Sequence, residues 1–103
     1  MNVGSLRERI TLLHPVRTPD GGGGHAIAYE ERAAVWAAAE DRGAGLSRLG
    51  ARAPRLRRRF TVRVGTDVLF ETRIRHEGET FRVTSIRQRR GPKPHQIIDA
   101  EAL

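Results

Sequence analysis

The stretch RAPRLRRRFTVRVG, residues 52–65, carries six arginines in fourteen positions, and its apolar residues alternate with them. On an extended chain Leu56, Phe60, Val62 and Val64 fall on one side, and Arg57, Arg59, Thr61 and Arg63 on the other. Only Arg58 breaks the pattern. A disordered basic tail has no reason to alternate, and a helix would scatter Phe60, Val62 and Val64 around its circumference. Leu56 to Val64 is therefore predicted as a strand with one wet, strongly basic face.

The rest of the chain is punctuated in the same style. Residues 8–14, ERITLLH, predict a first strand with Ile10 and Leu12 on one face, and Pro15 is expected to end or bend it. TPDGGGGH at 18–25 predicts a mobile hairpin tip, since four consecutive glycines hold regular structure only at high entropic cost. It lacks the Lys and Ser/Thr spacing of a phosphate loop. AIAYEERAAVWAAAED, 26–41, favours helix by propensity. Helical spacing from Ile27 meets only Glu30 and Glu31, however, whereas Ile27, Tyr29, Val35, Ala37 and Ala39 share a strand parity. A strand over about 33–40 is the reading, with Trp36 turned the other way, across a bulge or into a subunit contact.

From Asp41 to Arg55 runs a connection rich in Gly, Ala and Arg, in which Leu46 and Leu49 allow one weak helical turn or none. Val68 to His76 predicts another extended stretch. HEGE at 76–79 is a tight hairpin signal, because Gly78 accepts positive φ. Thr80 to Arg87 follows as its partner strand, QRRGPKP at 88–94 as a basic turn, and His95 to about Glu101 as the last strand. Six or so short strands and at most one short helix predict an all-β domain, a small barrel or sandwich spanning residues 1–103 as one unit.

Composition narrows the function. Of the hydrophobic residues, 38% of the chain, twelve are alanine, which makes for a shallow core and favours help from oligomerisation. There is no cysteine, which excludes disulfides and thiolate metal sites. The opening MNVGSLRERI lacks the apolar run of a signal peptide, and AAVWAAA is too short to span a bilayer, so a soluble cytoplasmic protein is expected, with no membrane partner. His14, His25, His76 and His95 lack metal-site spacing and are expected to be solvated. The adjacent pairs Glu30 with Glu31 and Glu40 with Asp41 point apart on an extended chain, and no serine sits in a nucleophile elbow. An enzyme, a cofactor and a metal site are not expected. A formal charge of +7, with eighteen of the nineteen basic residues being arginine, suits nucleic acid or the acidic rim of a protein partner.

With catalysis set aside, the order of motifs resembles the phage head-to-tail joining family, the head-completion or stopper proteins and their relatives in gene transfer agents. The resemblance rests on GSLRERITLLHP leading into the first strand, AAVWAAAE around a Val-Trp-Ala core, RRRFTVRV, and HEGETFRVTSIRQ near the end. RGAGLSRLGARAPR departs from it by being richer in Gly and Arg than the helix-forming stretch often found there.

The resemblance implies a structural β-barrel subunit of a ring of six or twelve copies in the neck of a virion or particle, assembled in the host cytoplasm. Its partners would be a portal adaptor on the head side, a tail terminator or tail protein on the other, and packaged DNA held without sequence preference. In such a ring the basic face, Arg57, Arg59 and Arg63, would meet DNA or a neighbour's Glu30, Glu31 and Glu40; a solvated face is the plain alternative. The basic turn, Arg89, Arg90 and Lys93, would also be available to DNA. In the long connection Leu46 and Leu49 would pack on a neighbour, with Arg42, Arg48 and Arg52 on acidic groups or phosphate, and Trp36 would be a subunit contact. The competing reading is a small basic β-barrel that binds nucleic acid. Such surfaces stack bases on exposed aromatics, and only Tyr29 and Trp36 are expected to be available.

Overall fold

The computed structural model describes residues 6–43 and 56–103. They form six antiparallel strands: β1 Glu8–Pro19, β2 His25–Gly43, β3 Arg57–Arg63, β4 Arg73–His76, β5 Glu79–Arg89 and β6 His95–Ala102. The strands close in the order β1-β2-β3-β6-β5-β4, so β4 returns to pair with β1. The outcome is a barrel rather than a sandwich. The described residues contain no helix.

Alternation fills the interior. Ile10, Leu12, Ala37, Phe60, Val62, Ile74, Phe81, Val83, Ile98 and Ala100 all point inward and are buried. Phe60 meets Phe81 edge-on at 5.6 Å between ring centroids, the geometry that aromatic quadrupoles prefer. Small residues on β2 and β6 leave room for these two rings, which explains how an alanine-rich chain fills a barrel. Three irregularities adjust the register, with Arg32 as the extra residue opposite Leu12 and Leu13, Arg42 opposite Arg57 and Arg58, and Thr84 opposite Asp99 and Ala100.

Several expectations are corrected. Pro15 does not end β1, which continues to Pro19, because beyond Leu13 β1 has a neighbour on one side only. A proline fits an edge strand when its nitrogen faces away from the ladder. β2 begins at His25 rather than near 33, since its first half pairs with this extension of β1. Together they make a hairpin arm that projects past the barrel. Its tip is more organised than four glycines suggest: Asp20 Oδ1 accepts the Gly22 N–H at 2.8 Å and the Gly24 N–H at 3.2 Å.

Elsewhere, Val68 to His76 is extended only over β4, because turns occupy the preceding residues. Gln88 and Arg89 belong to β5 rather than to the basic turn. The HEGE hairpin takes positive φ at both centre positions, 51° at Glu77 and 79° at Gly78, matching the twist of the flanking strands. Thr61 was assigned to the wet face but is 1% exposed; its cross-strand partners Ala38 and Ile97 make a small apolar spot on the outside of the barrel. The long connection, with any helix in it, lies outside the described residues from position 44 onward.

Candidate functional site

Consecutive arginines of β3 go to different places because a strand sends neighbours to opposite faces. Arg57, Arg59 and Arg63 point outward. Arg59 Nε donates to Asp99 Oδ1 on β6 at 2.8 Å, and Arg87 approaches the other carboxylate oxygen at 3.6 Å. The hydrogen bond to Asp99, helped by the charges of Asp99 and Glu40 and opposed by desolvation, raises the Arg59 pKa above its ordinary value. Arg59 is thus a fixed cation at every accessible pH. Its partner is within its own chain, as are the Glu31 partner Arg75 at 2.7 Å and the Glu40 partner Arg42 at 3.3 Å.

Around Arg59 lies a groove of about 300 Å³ lined by Arg42, Arg57, Arg58 and Arg59, with Thr84, Ser85 and Asp99 opposite. The guanidinium groups of Arg42, Arg57 and Arg59 and two hydroxyls against one carboxylate suit an anionic visitor, a phosphate or a carboxylate side chain. Arg57 is exposed and stands at the groove's edge.

Arg58 turns inward at the barrel end, only 8% exposed, its guanidinium 5.1 Å over the Phe81 ring. Arg58 Nε donates to Asp41 Oδ1 at 2.7 Å, and its Nη1 lies 2.9 Å from His76 Nδ1 and 3.6 Å from Glu77 Oε2. An arginine can only donate, so Nδ1 of His76 accepts and the ring proton sits on Nε2, which donates to Glu8 Oε1 at 3.0 Å. Residues from β1, β2, β3, β4 and the β4-β5 turn therefore meet in one network closing the barrel. Glu8, His76 and Glu77 bring ligand atoms within 4.8 Å of one another, as a metal site would. The donor set does not fit one, because the His76 nitrogen facing the carboxylates carries the proton and Arg58 adds a positive charge beside it.

The buried histidines overturn the expectation that all four are solvated. His76 is 5% exposed and His14 8%, the latter with Nε2 at 3.2 Å from the Asp67 carbonyl oxygen and 3.5 Å from Thr72 Oγ1. His14 ties the β3-β4 connection to the base of the arm. Arg58 was legible only as an interruption of the arginine pattern, yet parity with Phe60 already placed it inside.

Trp36 is 54% exposed on the outer face, with the Arg9 guanidinium 5.0 Å over its ring, and it borders a shallow hollow with Leu6, Arg7 and Arg63. Tyr29 is covered by Arg73 at 3.9 Å. Phe70, not expected to be available, is 65% exposed beside Leu69; Gly65 and the following turns that break the alternation were the signal. Arg89, Arg90 and Lys93 are all exposed. Leu46, Arg48, Leu49 and Arg52 lie outside the described residues; Arg42, which is described, lines the arginine groove.

Residues 1–102 match the family described as phage head completion protein. The chain belongs to that family. Among solved structures, a chain from the virion of a native gene transfer agent particle aligns with TM-score 0.70 and 26% identity, covering 95% of this chain and 96% of that one. The solution structure of protein SF1141 from Shigella flexneri 2a aligns with TM-score 0.70 and 22% identity, over 98% of this chain and 96% of that one, which supports the fold alone. No curated protein matches the chain. As a head completion family member, the chain is a structural phage protein.

Proposed function

We propose that this head completion family member is a subunit of a ring in the neck of a tailed phage or gene transfer agent particle, between portal adaptor and tail. There it retains packaged DNA and offers the platform on which the tail docks. The observation that carries the reading is the family match across residues 1–102. Two features of the molecule support it. Its barrel interior is filled by its own side chains, leaving the outer surface and loops for partners, and that surface carries arginines at one groove and one turn. Placement of aromatics gives the competing nucleic-acid module few rings to stack bases on: Phe60 and Phe81 are 0% exposed inside the barrel, Tyr29 is covered by Arg73 and Trp36 by Arg9, which leaves Phe70 as the one open ring.

The connection expected from Asp41 to Arg55 starts after Gly43, since Asp41 to Gly43 belong to β2, and residues 44–55 are proposed to take their working arrangement in the assembled neck, with Leu46 and Leu49 on a neighbour and Arg42, Arg48 and Arg52 on acidic groups or phosphate. A connection of this length between adjacent strands far exceeds the usual roughly two to five residues of a hairpin, and such loops are commonly functional. Replacing residues 44–54 with a short Gly-Ser turn is the test. The expected outcome is an intact barrel by circular dichroism but particles that lose DNA or fail to join tails; normal yields of DNA-filled, tailed particles would refute it.

A further inference from the structure

Barrel closure hides most strand edges, and the exceptions are informative. Among the described residues four long runs of strand lack a neighbour on one side: β1 beyond Leu13, β2 from His25 to Ala37 on its outer side, β2 from Ala38 to Gly43 on the side of β1, and β5 from Val83 to Arg89. The first is blunted. Antiparallel pairs alternate between exchanging hydrogen bonds and turning their N–H and C=O groups outward. Pro15 and Pro19 have no N–H to exchange, so their pairs with Tyr29 and His25 belong to the outward class, and the Arg17–Ile27 pair between them shares it. Along β1 this leaves an edge in which two of three successive outward donors are missing. Along β2 the same parity turns the N–H and C=O groups of His25, Ile27 and Tyr29 outward with no proline to interrupt them.

The β2 run is also bare on its faces. From His25 to Trp36 every residue is exposed except the half-buried Tyr29 and Val35, and Ile27 is 56% exposed. A two-stranded ribbon open on both faces is marginal in water without a further strand or layer. Charge decides what that strand is. The β2 run carries Glu30, Glu31 and Arg32 and is net acidic, and the β5 run carries Arg87 and Arg89 and is purely basic. A two-fold pairing of β2 with β2 sets glutamate against glutamate at its centre and joins two net-acidic edges, whereas β2 against β5 sets a net-acidic edge against a basic one. Glu31 already holds Arg75, but as an exposed pair that is cheaply exchanged.

We propose that the outer edge of β2 in one copy pairs with the free edge of β5 in the next, continuing the sheet from subunit to subunit. This rests on the ring reading above and supplies its contact. Two different surfaces meet in this pairing, so it is heterologous, the type of interface that generates rings when the rotation closes.

The chain has no native cysteine, which makes the test clean. Ile27→Cys, Arg87→Cys and the double variant are treated with a short bis-maleimide across a concentration series up to the solubility limit. The double variant is expected to give a ladder of covalent multimers, and an equimolar mixture of the two single variants a covalent dimer. Each single variant alone is expected to give no covalent multimer, because a crosslink across the β2-β5 junction needs a cysteine on both edges. A dimer from Ile27→Cys alone, or no multimer from the double variant, overturns the proposal. Ile27→Pro in the double variant's Arg87→Cys background tests the edge without a reactive group on β2. Its nitrogen faces outward, so it should keep the barrel's thermal transition while abolishing the sedimenting multimers seen with Arg87→Cys alone; retained multimers overturn the edge contact. Chain found in purified particles without the crosslink defeats the edge pairing alone, whereas absence of the chain from particles defeats the neck reading itself.

Discussion

At the residue scale the interior arginine is the informative position. Arg58 spends its guanidinium on Asp41, His76 and Glu77 while its stem packs toward Phe81. Breaking a buried ion pair is most costly when it strands a buried charge. Here the carboxylates of Asp41 and Glu77 are 68% and 63% exposed, so water replaces the lost partner cheaply. What remains is the buried Nδ1 of His76, deprived of its donor. Arg58→Met, which preserves apolar packing, is therefore expected to cost roughly 1–3 kcal/mol, the penalty of one unsatisfied buried acceptor. Urea unfolding checks this; a loss far above that range would mean the carboxylates are more buried in the working protein. The raised pKa of Arg59 has a definite sign: its stabilisation is complete below the unfolded-state pKa and would fade only as pH rises through the still higher folded value. The Arg59–Asp99 pair therefore supplies no arginine-linked change in stability near neutral pH.

At the element scale two turns make different demands on their glycines. Gly78 has φ of 79° and nothing within 4 Å of the position a Cβ would take, so Gly78→Ala is strained by backbone conformation and not by collision. The expected loss is about 1–2 kcal/mol. Gly22 makes a useful control. It lies outside the positive-φ region, and an added Cβ would meet Asp20 Oδ1 at an ordinary 3.6 Å, so Gly22→Ala is expected to be within about 0.5 kcal/mol of neutral. Thermal unfolding of both variants checks the contrast; equal effects would mean that the turn conformation is not what fixes the β4-β5 register. The two turns also differ in purpose. The Glu77–Gly78 turn sits over the barrel end and lends Glu77 to Arg58, whereas the Asp20 turn only closes the arm.

Taken as a whole molecule, the chain is a strongly basic barrel whose arginines are divided between internal pairs and open positions. Arg59, Arg75 and Arg82 each face a carboxylate of the same chain, while Arg57, Arg63, Arg89, Arg90 and Lys93 are exposed. Spread over one groove, one turn and the outer wall, these suit non-specific attraction to a phosphate backbone. The isolated subunit is accordingly expected to bind duplex DNA weakly and without sequence preference, with log affinity falling against log salt by about 0.9 per phosphate neutralised. Fluorescence anisotropy across a salt series measures this. Tight, sequence-selective binding at physiological salt would favour the nucleic-acid module instead.

The period-two alternation of Phe60, Val62, Phe81 and Val83, together with the HEGE turn, was enough by itself to determine an all-β domain, because side-chain parity and turn stereochemistry are local properties of the backbone. The ordered motifs likewise made the family legible. Closure of the sheet was not, since the pairing of β4 with β1 joins residues some sixty positions apart and no local signal encodes it. Non-local pairing likewise decided the burial of His76 and His14, the partners that meet Arg58 inside and the pairing of Arg59 with Asp99 across β3 and β6. A residue's parity names the face it takes; only the folded barrel determines whether that face meets solvent, a carboxylate on another strand or an edge left open for a neighbour.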